Sequence, residues 1–365
     1  MDVPSFRGRR PRSPVKEGRA RVLQVYLDEP GGGSANVALL RKALGPQVEW
    51  RELCLGVQIT RGGSLLGRPL RDKIRGVVTE EDPDIVHAHG TRVALVVGLA
   101  DVAPARVVTL HGIHAVRRAN RIQRPFARWF ERFVLSRMDL VLCTGRSDAR
   151  LVEEIGLGPG TEIRWIHSAF TPPPERDRRE ARAGFDLPPS GKVVLWMGRF
   201  EAEKRPLLFI EALDLIGRTP GLSILMAGDG SLYEEAKELV RRKGLADIVR
   251  MPGWCTDTAS VYRAADILVS TSRWEGFPLT GLEAASAGLS LVLSDVPGNV
   301  DLVEVGLEAI LIPSARARGI ADGLAKALEA EPPDIVRTGE ALANFSPQVQ
   351  AEEVMRAYRD VLDRR

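Results

Sequence analysis

Glu275-Gly276-Phe277-Pro278-Leu279-Thr280-Gly281-Leu282-Glu283, followed by Ala284, Ala285, Ala287 and Gly288, is the stretch on which the reading of this chain turns. One β-like run, residues 266–271, precedes it and another, 290–294, follows it. Strand, loop, helix and strand is the implied order. Pro278 suits the first turn of a helix, where its missing N–H costs nothing. Glu275 then lies in the loop and Glu283 about one and a half turns inside the helix. The free N–H groups of Phe277, Leu279 and Thr280 would point at an anion. One carboxylate can accept hydrogen bonds from sugar hydroxyls while the other takes ribose hydroxyls. Two glutamates on a plain surface helix would mean little; the glycine and the helix start give them context.

Outward from this stretch the same alternation recurs. In the second half residues 192–196, 223–227, 248–251 and 309–312 also read as strands, with helical patterns between them. In the first half the strands are 22–27, 85–88, 106–110 and 140–143, with another at 162–166. Helical patterns occupy 35–43 and 68–78. Such apolar strands suit sheets covered on both faces. A Pro- and charge-rich stretch, 171–191, interrupts the pattern and reads as a stiff linker or a short capped helix. The fold class expected is α/β, with two Rossmann-like doubly wound parallel-sheet domains facing across a cleft. They occupy residues 21–175 and 176–346, and an amphipathic helix at 347–363 closes the chain. Ligands in such sheets sit at the carboxyl ends of the strands.

The strand ends carry the candidate chemistry. The first strand leads into Asp28-Glu29-Pro30-Gly31-Gly32-Gly33-Ser34, where Gly32 and Gly33 would let a phosphate or sugar approach backbone N–H groups. A flexible turn explains the same glycines, and neither GxGxxG nor GxxxxGK[ST] is present. His87 and His89, two apart on a strand, point to one face. His111 follows a strand, precedes Gly112 and faces the presumed cleft; His114 and His167 complete the set. A structural, hydrogen-bonded role competes for each histidine, and no acidic or cysteine residue stands at a matching spacing for a metal. In the second half Gly198 and Arg199 follow a strand, with Lys204 five residues beyond Arg199. Two cations beside a glycine turn could clamp a pyrophosphate, although surface solvation is their commoner fate. Gly228-Asp229-Gly230 makes a tight turn after the next strand.

Composition bounds the rest. The chain has 365 residues, 44% hydrophobic and 27% charged, so it can bury a large core and is not wholly disordered. The net charge is +3, yet it is unevenly spread. Residues 1–21 hold seven basic side chains against Asp2 and Glu17, so the tail 1–20 reads as basic and disordered. Residues 117–137 hold seven arginines, Arg121, Arg124 and Arg128 among them, against the single acid Glu131. The remainder is acidic, which argues against nucleic acid as a partner. Cys54, Cys143 and Cys255 form no CxxC, so neither a disulfide framework nor a zinc site is expected. The longest apolar run, 93–100, is far short of the roughly 20 residues that span a bilayer. With no apolar signal region at the start, a cytoplasmic location is expected. Asp82-Pro83-Asp84 precedes a strand and reads as a turn.

These motifs strongly resemble the retaining glycosyltransferases of the GT-B type, specifically glycosyltransferase family 4, over nearly the whole chain after about residue 20. The family's E-x7-E pattern is met by Glu275 and Glu283, with Gly276, Phe277 and Leu279 in the expected places. Its Gly-Arg…Lys pattern is met by Gly198, Arg199 and Lys204, its glycine loop by Gly31–Gly33 and its strand-end histidine by His111. The resemblance implies transfer of a hexose-type sugar from a UDP- or GDP-sugar to a glycan or lipid-linked saccharide, in cell-surface polysaccharide or glycolipid synthesis. Arg199, Lys204, Glu275 and His111 would be catalytic. Gly32, Gly33, Gly198, Gly228, Gly276, Phe277, Pro278, Leu279, Thr280 and Glu283 would bind the donor. No cofactor or essential metal is implied, and the helix 347–365 would cross back onto the first domain. Two departures stand out. Residues His167-Ser168-Ala169 replace the usual Pro-Asn-Gly after Ile166, and Arg205 replaces a frequent Gly after Lys204. A GT-B nucleotide-sugar 2-epimerase and a non-catalytic nucleotide-sugar-binding homologue are the alternatives.

The acceptor side is expected on the first domain, at His89 and at two basic segments. In residues 68–78, Arg68, Arg71 and Arg75 line one stripe, while Leu70, Ile74 and Val77 line another. In the second segment Pro125 starts a helix with Phe126, Trp129, Phe130 and Phe133 on its apolar side. That stripe reads as core-facing, with a solvated basic face. The competing expectation is that these basic faces engage anionic lipid head groups, seating the protein on the inner face of the plasma membrane.

Overall fold

The structure, a computed structural model, describes residues 19–27, 32–55, 68–313 and 316–365. Residues 1–18 of the basic tail and Gly31 of the glycine turn lie outside the described residues. The first half carries β1 (Ala20–Leu27), β2 (Val48–Leu55), β3 (Ile85–His89), β4 (Ala105–Leu110), β5 (Leu140–Cys143) and β6 (Glu162–Trp165). Its helices are α1 (Gly32–Leu44), α2 (Arg68–Glu81), α3 (Thr91–Ala100), α4 (His114–Arg118), α5 (Arg124–Leu135) and α6 (Arg146–Ile155). The six strands form one parallel sheet in the order β2-β1-β3-β4-β5-β6.

After α7 (Arg178–Ala183) a second set begins: β7 (Lys192–Met197), β8 (Leu222–Ala227), β9 (Val249–Gly253), β10 (Ile267–Ser270), β11 (Ser290–Ser294) and β12 (Ile310–Ile312). Its helices are α8 (Pro206–Ile216), α9 (Tyr233–Arg242), α10 (Thr258–Ala264), α11 (Leu279–Ser286), α12 (Pro297–Glu304), α13 (Ala317–Glu329), α14 (Ile335–Ala343) and α15 (Pro347–Asp363). This sheet is also parallel, in the order β12-β11-β10-β7-β8-β9. Counted from β7, that is the doubly wound order 3-2-1-4-5-6, whose direction reverses between β7 and β10. The crevice at that reversal is where the second sheet should hold a ligand.

The core follows from the strands. All five residues of β3 and all six of β8 are buried, as in a sheet covered on both faces. α15, capped by the Ser346 hydroxyl on Val349 N–H, buries Val354, Ala357, Tyr358 and Val361 with Val22, Leu40 and Ile85 of the first domain. The linker resolves into the short helix α7, with the Asp177 carboxylate accepting from the N–H groups of Arg179 and Glu180. β2 escapes the sequence pattern because it is an edge strand with four exposed positions out of eight.

Two expectations are corrected. Pro278 is the N-cap of α11, and the helix itself begins at Leu279. The aromatic stripe of α5 faces the core only in part: Phe130 and Phe133 pack against it, whereas Phe126 is 68% and Trp129 57% exposed. The buried arc of α5 is instead Glu131, Val134 and Leu135, with Ala127, Phe130 and Phe133 partly buried. α5 packs on α3, and its apolar arc is wider than the contact that covers it.

Candidate active site

The reversal between β7 and β10 brings two distant segments together. Lys204, in the loop after β7, places Nζ 2.6 Å from Oε1 of Glu275, in the loop after β10. The Ser272 hydroxyl donates to the same Oε1 at 2.5 Å. Both donors converge on one oxygen, and among the described residues Oε2 takes no hydrogen bond. Thr271, buried at the end of β10, donates to the Lys204 carbonyl at 2.7 Å and accepts from Trp196 Nε1 at 3.0 Å. The lysine loop is thereby pinned to the sheet.

Arg199 stands apart from this pair. Its side chain is 59% exposed and reaches Glu203 at 2.9 Å. Arg118, from α4 of the first domain, reaches the same Glu203 oxygen at 3.2 Å. Arg205 adopts a left-handed backbone with φ of 53°. The loop therefore keeps the conformation that the family's glycine would favour, despite the side chain.

Glycines set the approach distances. A Cβ on Gly228, whose φ is +134°, would lie 1.9 Å from the Gly198 carbonyl oxygen. The turns after β7 and β8 thus pack backbone to backbone. A Cβ on Gly276 would lie 3.0 Å from the His111 oxygen and 3.2 Å from Gly112 Cα. Cβ atoms on Gly145 and Gly298 would meet the Gly276 oxygen at 2.7 and 2.5 Å. Strand ends of both domains therefore meet the Glu275–Gly276 loop. Nearby, Asp301 Oδ2 accepts from both the N–H and the hydroxyl of Ser147 at 3.0 Å, a bond between α12 and α6 across the cleft.

At the start of α11 the N–H groups of Leu279 and Thr280 precede the first bond of the turn, Gly281 N–H to the Pro278 carbonyl. Glu283 is on the same helix, and the buried Tyr262 hydroxyl donates to its Oε2 at 2.6 Å. Burial raises the Glu283 carboxyl, and the tyrosine bond works against that rise. Phe277 is buried in a ring cluster with His167 and Phe345. His167, at the departure from Pro-Asn-Gly, so packs the hinge against the α11 loop. Gly32 and Gly33 form the first residues of α1.

The histidines form a polar chain through the first sheet. With Gln24 Oε1 toward His89 and its Nε2 toward Tyr358, His89 Nε2–H donates to Gln24 at 2.5 Å. His89 Nδ1 then accepts from His111 Nε2–H at 3.2 Å. Gln24 Nε2 donates to Tyr358 Oη and His87 Nδ1, both at 3.3 Å. The Tyr358 hydroxyl donates to His87 Nδ1 at 2.6 Å, and His87 Nε2–H donates to Thr109 at 2.7 Å. Burial lowers His87 to about 3 and His111 to about 4, so both rings are neutral near pH 7. Among the described residues no group of three His, Cys, Asp or Glu converges to hold a metal ion.

Of the first-domain arginines, Arg75 ties α2 to the Ala100 carbonyl at 2.8 Å and pairs with Asp72. Among the described residues Arg71 has a buried Nε without a hydrogen-bond partner, and Arg68 is exposed at the helix start. Arg128 bonds the Glu154 carbonyl at 2.8 Å, while Arg121 and Arg124 are exposed. The turn Asp82-Pro83-Asp84 is structural, with Asp82 and Asp84 gripping Arg21 at the start of β1. The signals missed in the sequence are Ser272, Tyr262, Glu203, Gln24 and Glu131. Glu131 is buried on α5, where its carboxylate accepts from Thr91 Oγ1 at 3.1 Å. Only its isolation among arginines marked it.

Two doubly wound sheets whose strand ends meet at one cleft define the GT-B class. The family described as Glycosyl transferases group 1 matches residues 177–347, and the Glycosyl transferase 4-like domain matches residues 4–169. The chain belongs to the GT-B glycosyltransferases of the family 4 type. It is similar to the lipopolysaccharide core biosynthesis mannosyltransferase LpsB of Rhizobium meliloti (strain 1021), 30% identical over 251 residues, 66% of this chain and 70% of that protein. It is also similar to an Escherichia coli UDP-Gal:alpha-D-GlcNAc-diphosphoundecaprenol alpha-1,3-galactosyltransferase, 28% identical over 253 residues, 65% of this chain and 64% of that protein. Among solved structures, sucrose-phosphate synthase from Thermosynechococcus elongatus superposes with a TM-score of 0.79 at 18% identity, covering 95% of this chain and all of that one. Anabaena HepE in complex with UDP and glucose gives 0.75 at 17%, covering 94% of this chain and all of that one. These likenesses at low identity concern the fold.

Proposed function

We propose that this glycosyltransferase moves a hexose-type sugar from a UDP- or GDP-sugar, with retention and without an essential metal, to a glycan or lipid-linked saccharide acceptor of cell-surface polysaccharide or glycolipid synthesis. The observation that carries this reading is the Lys204–Glu275 pair at the reversal of the second sheet, facing the His111–Gly112 strand end across the cleft. As the bond from the sugar's anomeric carbon to the diphosphate breaks, negative charge grows on the departing phosphate. Lys204 and Arg199, two of the three cations in the loop after β7, stabilise that charge. Leu279 and Thr280 N–H groups at the start of α11 receive the phosphates. Glu275 Oε2 accepts from the donor sugar, while Oε1 keeps Lys204 and Ser272 in place. Glu283, held by Tyr262, accepts from the ribose. Gly198 and Gly228 keep the rim thin enough for the nucleotide, and Gly32 and Gly33 close on the sugar from the first domain. His111 and the His89 behind it face the acceptor side. The curated relatives named above, a lipopolysaccharide mannosyltransferase and a galactosyltransferase acting on a diphosphoundecaprenol-linked sugar, support the acceptor class.

The test is a melting-temperature screen against UDP-, GDP- and ADP-sugars, because a ligand bound only by the native state raises the midpoint. The stabilising donor is then incubated with saccharide acceptors in the presence of EDTA, and the anomeric configuration of the product is read by NMR. A product of inverted configuration, a requirement for added metal, or formation of a C2 epimer from donor alone would each overturn the proposal.

A further inference from the structure

α5 and the turn before it present a surface that the glycosyl-transfer site does not use. Ile122 is 90% exposed, Phe126 68% and Trp129 57%, and none is covered by another part of the described chain. Phe126 stacks on Trp129 and Trp129 on Phe133, each pair with ring centroids 5.6 Å apart. A ladder of rings therefore runs along the helix, with Phe126 and Trp129 in water and Phe133 tucked against the core. Scattered apolar side chains are ordinary on a protein surface, but a contiguous ladder is not.

The charge beside the ladder is of one sign. Helical spacing puts Arg132 beside Trp129 and Phe133, whereas Arg124 and Arg128 lie further round the helix toward the buried arc, on the side of α6 and Glu154. Of the seven arginines in residues 117–137, four are engaged: Arg117 with Asp148, Arg118 with Glu203, Arg128 with Glu154, and Arg137 over the Phe133 ring. Arg121, Arg124 and Arg132 are exposed and make no ion pair among the described residues. Elsewhere among the described residues some exposed arginines, such as Arg51, Arg218 and Arg241, are paired with carboxylates, and others, such as Arg242 and Arg356, are not. Glu131, the one acid in this segment, is turned inward to Thr91. The surface thus combines unneutralised cations with insertable aromatics.

We infer that α5 and the turn before it form a docking face for an anionic lipid bilayer, with Ile122, Phe126 and Trp129 inserted among the head groups and Arg121 and Arg132 on the lipid phosphates. The chemistry is that of an interfacial amphipathic helix, where apolar burial and attraction to anionic lipid add. Attachment is in the plane of the interface, since among the described residues no helix is long and apolar enough to cross a membrane. The face borders the cleft: Arg118, from α4 immediately before this surface, bridges to Glu203 beside Arg199. A protein held by this face keeps its cleft mouth close to the bilayer.

The experiment is co-sedimentation of the full chain with phosphatidylcholine vesicles and with vesicles that also contain phosphatidylglycerol. Binding is expected only to the anionic vesicles, with release at high salt. F126S/W129S and R121E/R132E are expected to lose binding, about fivefold or more per arginine altered, while the paired surface control R241E binds as wild type. All these positions are exposed, so circular dichroism and melting midpoints should match wild type. Tryptophan emission should shift to the blue on binding, and W129F should abolish most of that shift. Failure of the wild type to bind anionic vesicles, equal binding to neutral ones, or undiminished binding by both variants overturns the inference. Lipid-free dimerisation that disappears in F126S/W129S also overturns it, by assigning the face to a second copy of the chain.

Discussion

Lys204 Nζ and Glu275 Oε1 are 2.6 Å apart although 71 residues separate them in the chain. They sit on the two loops that flank the reversal of the second sheet. The lysine is held by a carboxylate that has a second donor, Ser272. It can therefore turn toward a departing diphosphate without leaving Glu275 unpartnered. An ammonium poised in this way acts where charge develops and not where the ground state already has it.

Replacing Lys204 by Ala is therefore expected to lower kcat by about 10²–10³-fold, the size found when one preorganised donor to a developing anion is removed. KM for the donor should change less, and the Ser272 bond should keep the melting midpoint near that of wild type. Glu275→Gln keeps that hydroxyl contact but loses the charge that orients Lys204, so it should be similarly slow. Initial rates at saturating donor, with melts of each variant, check this. Full activity in either variant would refute the assignment.

Two glycines separate closure from folding. Gly276→Ala puts a Cβ 3.0 Å from the His111 oxygen, an atom of the opposite domain. The domains can yield by a few tenths of an ångström, so the variant should fold but lose activity. Gly228→Ala adds a Cβ 1.9 Å from the Gly198 oxygen at a φ of +134°, within one domain where nothing can yield. It should cost about 3 kcal/mol or more, from overpacking and backbone strain together. Denaturant melts beside rate measurements distinguish the two, and equal stability losses would defeat this reading of the cleft.

Much of this was legible in the sequence because fully buried parallel strands are apolar runs with clear ends. β5 and β11 fall where residues 140–143 and 290–294 placed them, and α15 where 347–363 did. β2 was not legible, since its solvent-facing residues break the run. The position of Lys204 and Glu275 at strand ends could be read, but their contact could not, nor could Tyr262 under Glu283. Such partners are set by packing at long sequence separation, as with Gln24 and Tyr358, 334 residues apart. For α5, periodicity reveals an apolar stripe but not which arc a neighbour will cover. Phe126 and Trp129 fell outside the arc that α3 and the sheet bury.

Stability should rise with pH between about 4.5 and 6.5. His87 is lowered to about 3, and His111 and His167 to about 4, in each case chiefly by burial. Below the unfolded value near 6.5 the unfolded chain binds protons that these native rings refuse. Each then subtracts about 1.4 kcal/mol per pH unit on acidification. Glu131 acts in the opposite sense, because burial raises it to about 7. The native state holds a proton there that the unfolded chain loses above about 4.5, so its contribution falls as pH rises to 7. Glu131→Gln should leave stability unchanged near pH 4.5 and increase it by about 1–3 kcal/mol at pH 8. Denaturant melts across that range are the check; an unchanged midpoint at pH 8 would contradict a buried ionised carboxylate.

The Gln24 amide governs the proton positions of three rings. Its Oε1 requires His89 to carry the proton on Nε2, which leaves Nδ1 to accept from His111 Nε2–H. His111 is thereby expected to present a bare Nδ1. Gln24→Leu removes the acceptor for His89 and should cost about 1–3 kcal/mol, the penalty of a buried donor left unpaired. It should also release the His111 tautomer and slow transfer. Tyr358→Phe removes one donor to His87 Nδ1, which Gln24 Nε2 still serves, so it should cost about 1 kcal/mol and leave the rate nearly unchanged. Nitrogen NMR of the histidine side chains reads the tautomers directly. A wild-type spectrum with His111 protonated on Nδ1 would show the Gln24 amide turned the other way, and the two variants should then affect the rate alike.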